Sequence, residues 1–379
     1  MSASQPIAHA STLPGARIHV LLVDDSPVAR LLLSTLIDND PRLSLVGVVH
    51  NGEEAVEAAA RLQPDVIVMD IHMPKLNGFE AARRIMETCP TRIVMVTAST
   101  DPNELASTFA ALEAGALTVL AKPAGPGDPA FKPLAAAFTQ AIKLMSEVPV
   151  VRRWPRANVS AATPSAPLCV SPRARVRVVA LGASTGGPVV LRDILTRLPK
   201  DFPVPLLIVQ HISAGFTDGF AAWLAQASGF PVRVARHNEP IQPGMAYIAP
   251  DGLQMQLLQS GKINLVDAPA EHSLKPSVSF LFRSIAANFG PAAIGVLLTG
   301  MGRDGAQELK NMHDAGAVTI AQDADSSIVF GMPGEAIKLG AADFVLAAEA
   351  IAATLSRLVA RPPDPPGAPL TPLSRAPLT

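Results

Sequence analysis

From Ile18 onward, short continuous apolar runs alternate with longer stretches in which apolar residues recur every three to four positions. Residues 19–23, 44–49, 66–70, 92–96 and 117–121 read as strands. Between them, 27–37, 52–62, 78–88 and 102–113 read as helices, and 131–146 closes the series. Strands without a polar face, separated by helices, predict a parallel sheet covered on both sides. Ligand sites in such sheets lie beyond the carboxyl ends of the strands.

The second half repeats the alternation. A buried run ends at Ala183, and a glycine-rich turn carries Ser184 before a helix that begins at Pro188. The run 205–210 ends at His211, and a helix over about 216–228 follows. Residues 245–250 and 255–266 read as antiparallel strands, with a reversal at Ser260-Gly261. A helix at 277–289, a run at 292–298, a helix to about 315, a strand at 318–322 and a last βα unit complete a second doubly wound, Rossmann-like sheet. Five prolines at 149, 155, 164, 167 and 172 mark residues 147–175 as a linker. The organisation expected is a disordered 1–16, a first domain at 17–146, the linker, a second domain at 176–360 and a disordered Pro-rich tail at 361–379.

Composition narrows the classes. Of 379 residues 49% are hydrophobic but only 4% aromatic, so the two cores are mostly aliphatic. A net charge of −1 without a basic stripe argues against nucleic acid as a partner. The two cysteines, Cys89 and Cys169, make neither a ligand cluster nor a disulfide framework, which suits a reducing compartment. The start lacks the pattern of a secretory signal, and no apolar run nears the ~18 residues of a membrane span. Cytoplasm without membrane insertion is the expectation.

At the carboxyl rim of the first sheet stand Asp24, Asp25, Asp70, Thr97 and Lys122. Clustered carboxylates repel unless a cation joins them, and an oxygen-only set suits Mg²⁺. A lysine and a hydroxyl beside such a metal can hold an anion, which points to phosphoryl transfer onto a carboxylate, Asp70 being the best placed. With Val23-Asp24-Asp25-Ser26, Met69-Asp70-Ile71-His72-Met73-Pro74, Thr97-Ala98 and Lys122-Pro123, this half resembles the response-regulator receiver family, a flavodoxin-like (βα)5 fold. The resemblance implies phosphorylation of Asp70 by a histidine kinase and a switch through Thr97 and Lys122. It also implies Mg²⁺ held by Asp24, Asp25, Asp70 and the backbone carbonyl of His72. Where that family usually carries an aromatic residue three positions before the lysine, this chain has Val119.

In the second half, Gly182, Ser184 and Gly186 fit the G-x-S-x-G spacing that pushes a serine hydroxyl out of a strand-to-helix turn. Ser184, His211 and Asp304 each follow a strand at one rim. Such a serine needs imidazole to take its proton, and the imidazole needs a carboxylate to fix its tautomer. The amides of Thr185 and Gly186 are the candidate oxyanion donors. Asp323 and Asp325 also follow a strand and compete with Asp304, which topology and its flanking glycines favour. His237, His272 and His313 read as surface. The order Ser–His–Asp differs from that of α/β-hydrolases. A binding module cradling phosphate on Gly182–Gly187 is the rival reading, but the G-x-G-x-x-G spacing is missing.

Leu181-Gly182-Ala183-Ser184-Thr185-Gly186-Gly187, Gln210-His211, Tyr247-Ile248-Ala249-Pro250, the block 298–305 and Val329-Phe330-Gly331-Met332-Pro333 closely resemble the CheB family of protein-glutamate methylesterases. The resemblance places a triad at Ser184, His211 and Asp304, with no cofactor in this domain. It implies a hydrolase that removes methyl esters from glutamate side chains of methyl-accepting chemotaxis receptors, with glutamine deamidation as a second activity and receiver phosphorylation as the control. Ser279 stands where that family usually has Asp, and different local substrate contacts are expected there.

Overall fold

The computed structural model describes residues 16–98, 109, 116, 118–123, 125–128, 131–148 and 174–360. The helix expected at 102–113 (apart from residue 109), the N-terminal segment to residue 15, most of the expected linker (149–173) and the tail 361–379 lie outside the described residues, as does Cys169. The described chain forms two compact units.

The first unit runs β1 (Ile18–Val23), α1 (Pro27–Asp38), β2 (Leu43–Val49), α2 (Gly52–Leu62), β3 (Val66–Asp70), α3 (Gly78–Thr88), β4 (Arg92–Thr97), β5 (Thr118–Ala121) and α4 (Phe131–Ser146). The sheet order is β2-β1-β3-β4-β5. Its central strands are buried along nearly their whole length, which is why they read as unbroken apolar runs. The helices start where side chains can cap them: Ser26, Asn51 and Asn77 accept from the third amide along, in Ala29, Glu54 and Glu80. Because β1 is flanked by β2 and β3, the loops after β1 and β3 meet at a topological switch point.

The second unit has a seven-stranded sheet: β6 (Val178–Ala183), β7 (Leu206–Gln210), β8 (Val232–Val234), β9 (Ala246–Ile248), β12 (Ala293–Leu297), β13 (Val318–Gln322) and β14 (Phe344–Leu346). Its order is β14-β13-β12-β6-β7-β9-β8, and every adjacent pair is parallel. Around it lie α5 (Gly187–Arg197), α6 (Thr217–Ser228), α7 (Val278–Phe289), α8 (Ala306–Asp314), α9 (Met332–Lys338) and α10 (Ala348–Ala360). A separate antiparallel hairpin is formed by β10 (Gln254–Leu257) and β11 (Ile263–Val266).

One expectation is corrected here. Residues 245–250 do not form an antiparallel strand: Ala246–Ile248 lies inside the parallel sheet between β7 and β8. Its three residues are buried on both faces, the environment of a central parallel strand, and so short a run carries no sign of its pairing direction. The edge strand Val232–Val234 was not expected at all; three half-buried residues leave no periodicity to read. The new chain direction at β12, which returns to the far side of β6, makes the β12/β6/β7 rim a second switch point.

Candidate active site

The turn after β6 is fixed on all sides. Ser184 N donates to Thr299 O at 3.0 Å, and Gly187 N returns to Ser184 O at 2.8 Å. Between them Gly186 adopts φ 79°, ψ −9°, the second central position of a type II turn, which only glycine takes without strain. α5 then starts at Gly187 with Pro188 in its first turn, as the sequence predicts. Gly300 lies against the turn so closely that a Cβ there would stand 2.7 Å from the Ser184 Cβ.

His211 follows the adjacent strand, and its amide donates to Ala183 O at 2.9 Å. Ser184 and His211 therefore extend neighbouring strands in register. The His211 Nε2 lies 2.9 Å from Asp304 Oδ2. A proton on Nε2 serves that bond and leaves the lone pair on Nδ1 as the free basic atom of the neutral ring. Among the described residues, the hydrogen bonds of Ser184 are all made by its main chain. The structure thus joins the imidazole to the carboxylate directly, and brings the serine alongside by strand pairing.

Asp304 is 2% exposed, yet its charge is well supported. Oδ2 also accepts from Val278 N at 2.7 Å, and Oδ1 accepts from Ser279 N and Ser277 Oγ, both at 3.0 Å. These donors form the N-terminus of α7, whose unpaired amides and dipole favour an anion. The helix end reaches Asp304 because Gly182 and Gly305 carry no Cβ; one at either place would collide with Val278. Burial by itself would raise the Asp304 pKa, but the bond and charge of His211 together with the Ser279 donors outweigh it and hold the carboxyl far below its usual range.

The competing acids fall elsewhere. Asp323 Oδ1 accepts from Ser326 N at 2.9 Å and Ser326 Oγ at 2.7 Å, and Asp325 is exposed. His237 and His272 are exposed, and His313 pairs with Asp343 and Asp314. Ser279, which stands where the family usually has Asp, lies inside the fold. It is 1% exposed, and its hydroxyl links Gly305 N at 3.0 Å to Glu308 Oε2 at 2.7 Å. Ser277, Thr299 and Gln210 also belong to this neighbourhood, though the sequence marks none of them as a site residue. Ser277, directly before an apolar helix, carried a legible N-cap signal; the other two act through contacts across strands and carried none.

In the first unit, oxygens of Asp24, Asp25 and Asp70 lie within 4.8 Å of one another. Lys122 Nζ stands 2.7 Å from Asp24 Oδ2 and 2.9 Å from Asp70 Oδ2. Asp70 Oδ1 accepts from Ile71 N at 2.8 Å. Burial, foremost, raises the Asp70 pKa, and the neighbouring Asp24 charge adds to it against the opposing pull of Lys122. Unforeseen in the sequence, Arg30 donates to the carbonyls of both Asp24 and Asp25 at 2.8 Å and pins the acidic loop. Thr97 is buried at the end of β4, where its carbonyl accepts from Lys122 N at 2.8 Å. His72 lies two residues past β3 with an exposed side chain, and Val119 is buried in β5. An all-oxygen set of this charge fits a hard divalent cation such as Mg²⁺.

Comparison with known proteins bears on both units. The pattern of the CheB methylesterase family matches residues 179–355, and that of the response regulator receiver domain matches residues 20–128. A protein-glutamate methylesterase/protein-glutamine glutaminase of Geobacter metallireducens is 52% identical over 342 residues, covering 90% of this chain and 99% of that protein. One from Nitrosospira multiformis is 51% identical, covering 90% and 97%. The crystal structure of the Thermotoga maritima CheB methylesterase catalytic domain shares 38% identity over 48% of this chain and 99% of its own, with a TM-score of 0.47.

Proposed function

The chain belongs to the CheB methylesterase family, with a response regulator receiver domain ahead of the esterase domain, and on that premise we propose a phosphorylation-controlled protein-glutamate methylesterase. Its substrates are γ-methyl esters of glutamate side chains in methyl-accepting chemotaxis receptors. The observation that carries the reading is the His211–Asp304 pair, set on the rim where Ser184 leaves the adjacent strand.

Ser184 Oγ attacks the ester carbonyl while His211 Nδ1 takes its proton. Asp304 keeps the other ring nitrogen protonated and stabilises the imidazolium that forms. The amides of Thr185 and Gly186 receive the negative charge that develops on the carbonyl oxygen. His211 then protonates the departing methoxide, so that methanol leaves and an acyl-Ser184 ester remains. Water, deprotonated by His211, releases the glutamate carboxylate and restores the serine. A glutamine side-chain amide follows the same path with ammonia as the leaving group, which makes deamidation the second activity.

In the receiver, Asp70 accepts the phosphoryl group from a histidine kinase. Mg²⁺ bound by Asp24, Asp25, Asp70 and the His72 carbonyl would neutralise charge on the group in transfer. Lys122, already in contact with both buried carboxylates, pairs with the phosphoryl oxygens, and Thr97 senses them. The domains assigned are 17–146 and 176–360, joined by 147–175. No helix among the described residues is long and apolar enough to cross a membrane, and we place the enzyme in the cytoplasm. The deciding experiment is methanol release from methylated receptor membranes. Ser184→Ala should abolish it while leaving the protein folded, and normal turnover in that variant would rule the chemistry out.

A further inference from the structure

Gln210, the last residue of β7, is 4% exposed. Its Nε2 donates to Ser184 O at 2.8 Å and to His211 O at 2.9 Å. One carboxamide thus ties together the main chains of the two residues between which a proton must move. Its orientation follows from its partners, because the reverse would set Oε1 against two carbonyl oxygens. Oε1 is buried without a hydrogen-bond partner among the described residues, a cost that a side chain used only for packing would avoid by being apolar. The fit is close: a Cβ on Gly187 would collide with Oε1.

The direction of the turn's amides follows from which carbonyls are tied down. In a trans peptide the carbonyl of one residue and the N–H of the next point in opposite directions. The Ser184 carbonyl is held by Gln210 Nε2 and by Gly187 N, so the Thr185 N–H points away from Gln210. The Thr185 carbonyl accepts from Thr299 Oγ1 at 2.9 Å, so the Gly186 N–H points away from Thr299. Both anchoring residues are buried and so is Gly186, whereas Ser184 and Thr185 are partly open. Neither amide donates to the backbone among the described residues.

From this we propose that Gln210 and Thr299 are positioning residues of the esterase. They aim the Thr185 and Gly186 amides at the reacting carbonyl, and Gln210 also fixes the spacing of Ser184 and His211. The inference rests on the triad reading above and assigns roles to two residues outside the triad. Neither group touches the substrate; each acts on the main chain that carries the reacting groups.

The test measures kcat and KM for methanol release from methylated receptor membranes, using the full chain and its folded fraction. Gln210→Met keeps the size of the side chain and removes the donor. It should lower kcat about tenfold to a hundredfold, with KM and the acid limb of the pH profile unchanged. Thr299→Val should behave alike, and Thr299→Ser, which restores the hydroxyl, should recover kcat to within about twofold of the parent. Gln210→Met and Thr299→Val at parental kcat, beside an inactive Ser184→Ala, would overturn the positioning role and leave the triad standing. Losses that match the loss of folded protein and are not rescued by Thr299→Ser would overturn it too. An active Ser184→Ala would instead remove the triad reading itself.

Discussion

Replacing Asp304 by Asn keeps the shape of the side chain and takes away its charge, so the structure sets both consequences. The carboxylate accepts four hydrogen bonds: from His211 Nε2, Val278 N, Ser277 Oγ and Ser279 N. An amide oxygen can accept two of them, and the amide nitrogen then faces either Ser277 Oγ and Ser279 N or His211 Nε2 and Val278 N. The hydroxyl or the ring nitrogen can turn to accept, so one buried backbone donor is left unpaired, and the variant should lose about 1–3 kcal/mol of stability at pH 7. Catalysis should suffer more, because no charge then balances the imidazolium, and an amide nitrogen turned toward His211 would move the ring proton to Nδ1; a loss of about 10⁴-fold in kcat is expected. The stability gap has a definite pH dependence. The Asp304 carboxyl titrates in the folded protein well below its unfolded value of about 3.9. Its stabilisation is therefore complete above the unfolded pKa and fades as pH falls through the folded one. Methanol release measured on folded protein, with thermal denaturation at about pH 7 and about pH 3, reads both effects. A variant within tenfold of parental kcat, or a stability gap unchanged on acidification, would refute the reasoning.

Gly300→Ala should lower kcat about a hundredfold in the same assay, since its Cβ would lie 2.7 Å from the Ser184 Cβ and 2.5 Å from Met332 Sδ and must displace the nucleophile. Asp70→Asn should abolish Mg²⁺-dependent incorporation of labelled phosphate from a small-molecule phosphodonor and remove any response of methanol release to that donor. Retained labelling would move the acceptor to another residue.

Much of the architecture was legible before any coordinates. Strands buried on both faces leave unbroken apolar runs, and helices leave a three-to-four-residue recurrence, so Val66–Asp70, Gly52–Leu62 and Val318–Gln322 were read at the bounds the structure shows. Residues that close a strand or follow it are legible too: Asp70 closes one, Ser184, His211 and Lys122 each follow one, and all four are marked by position as much as by chemistry. Asp304 was separable from Asp323 and Asp325 by topology and resemblance, but its link to His211 is a contact over 93 residues that only folding creates. The same holds for the N-terminus of α7 around that carboxylate, for Gln210 between the main chains of Ser184 and His211, and for Arg30 on the acidic loop. The direction of Ala246–Ile248 was likewise set by its neighbours in the sheet. Periodicity is a property of one segment and its solvent exposure, so the chain carries it in one dimension. Hydrogen bonds between segments depend on how sheets and helices pack, and they come into being only with the tertiary structure.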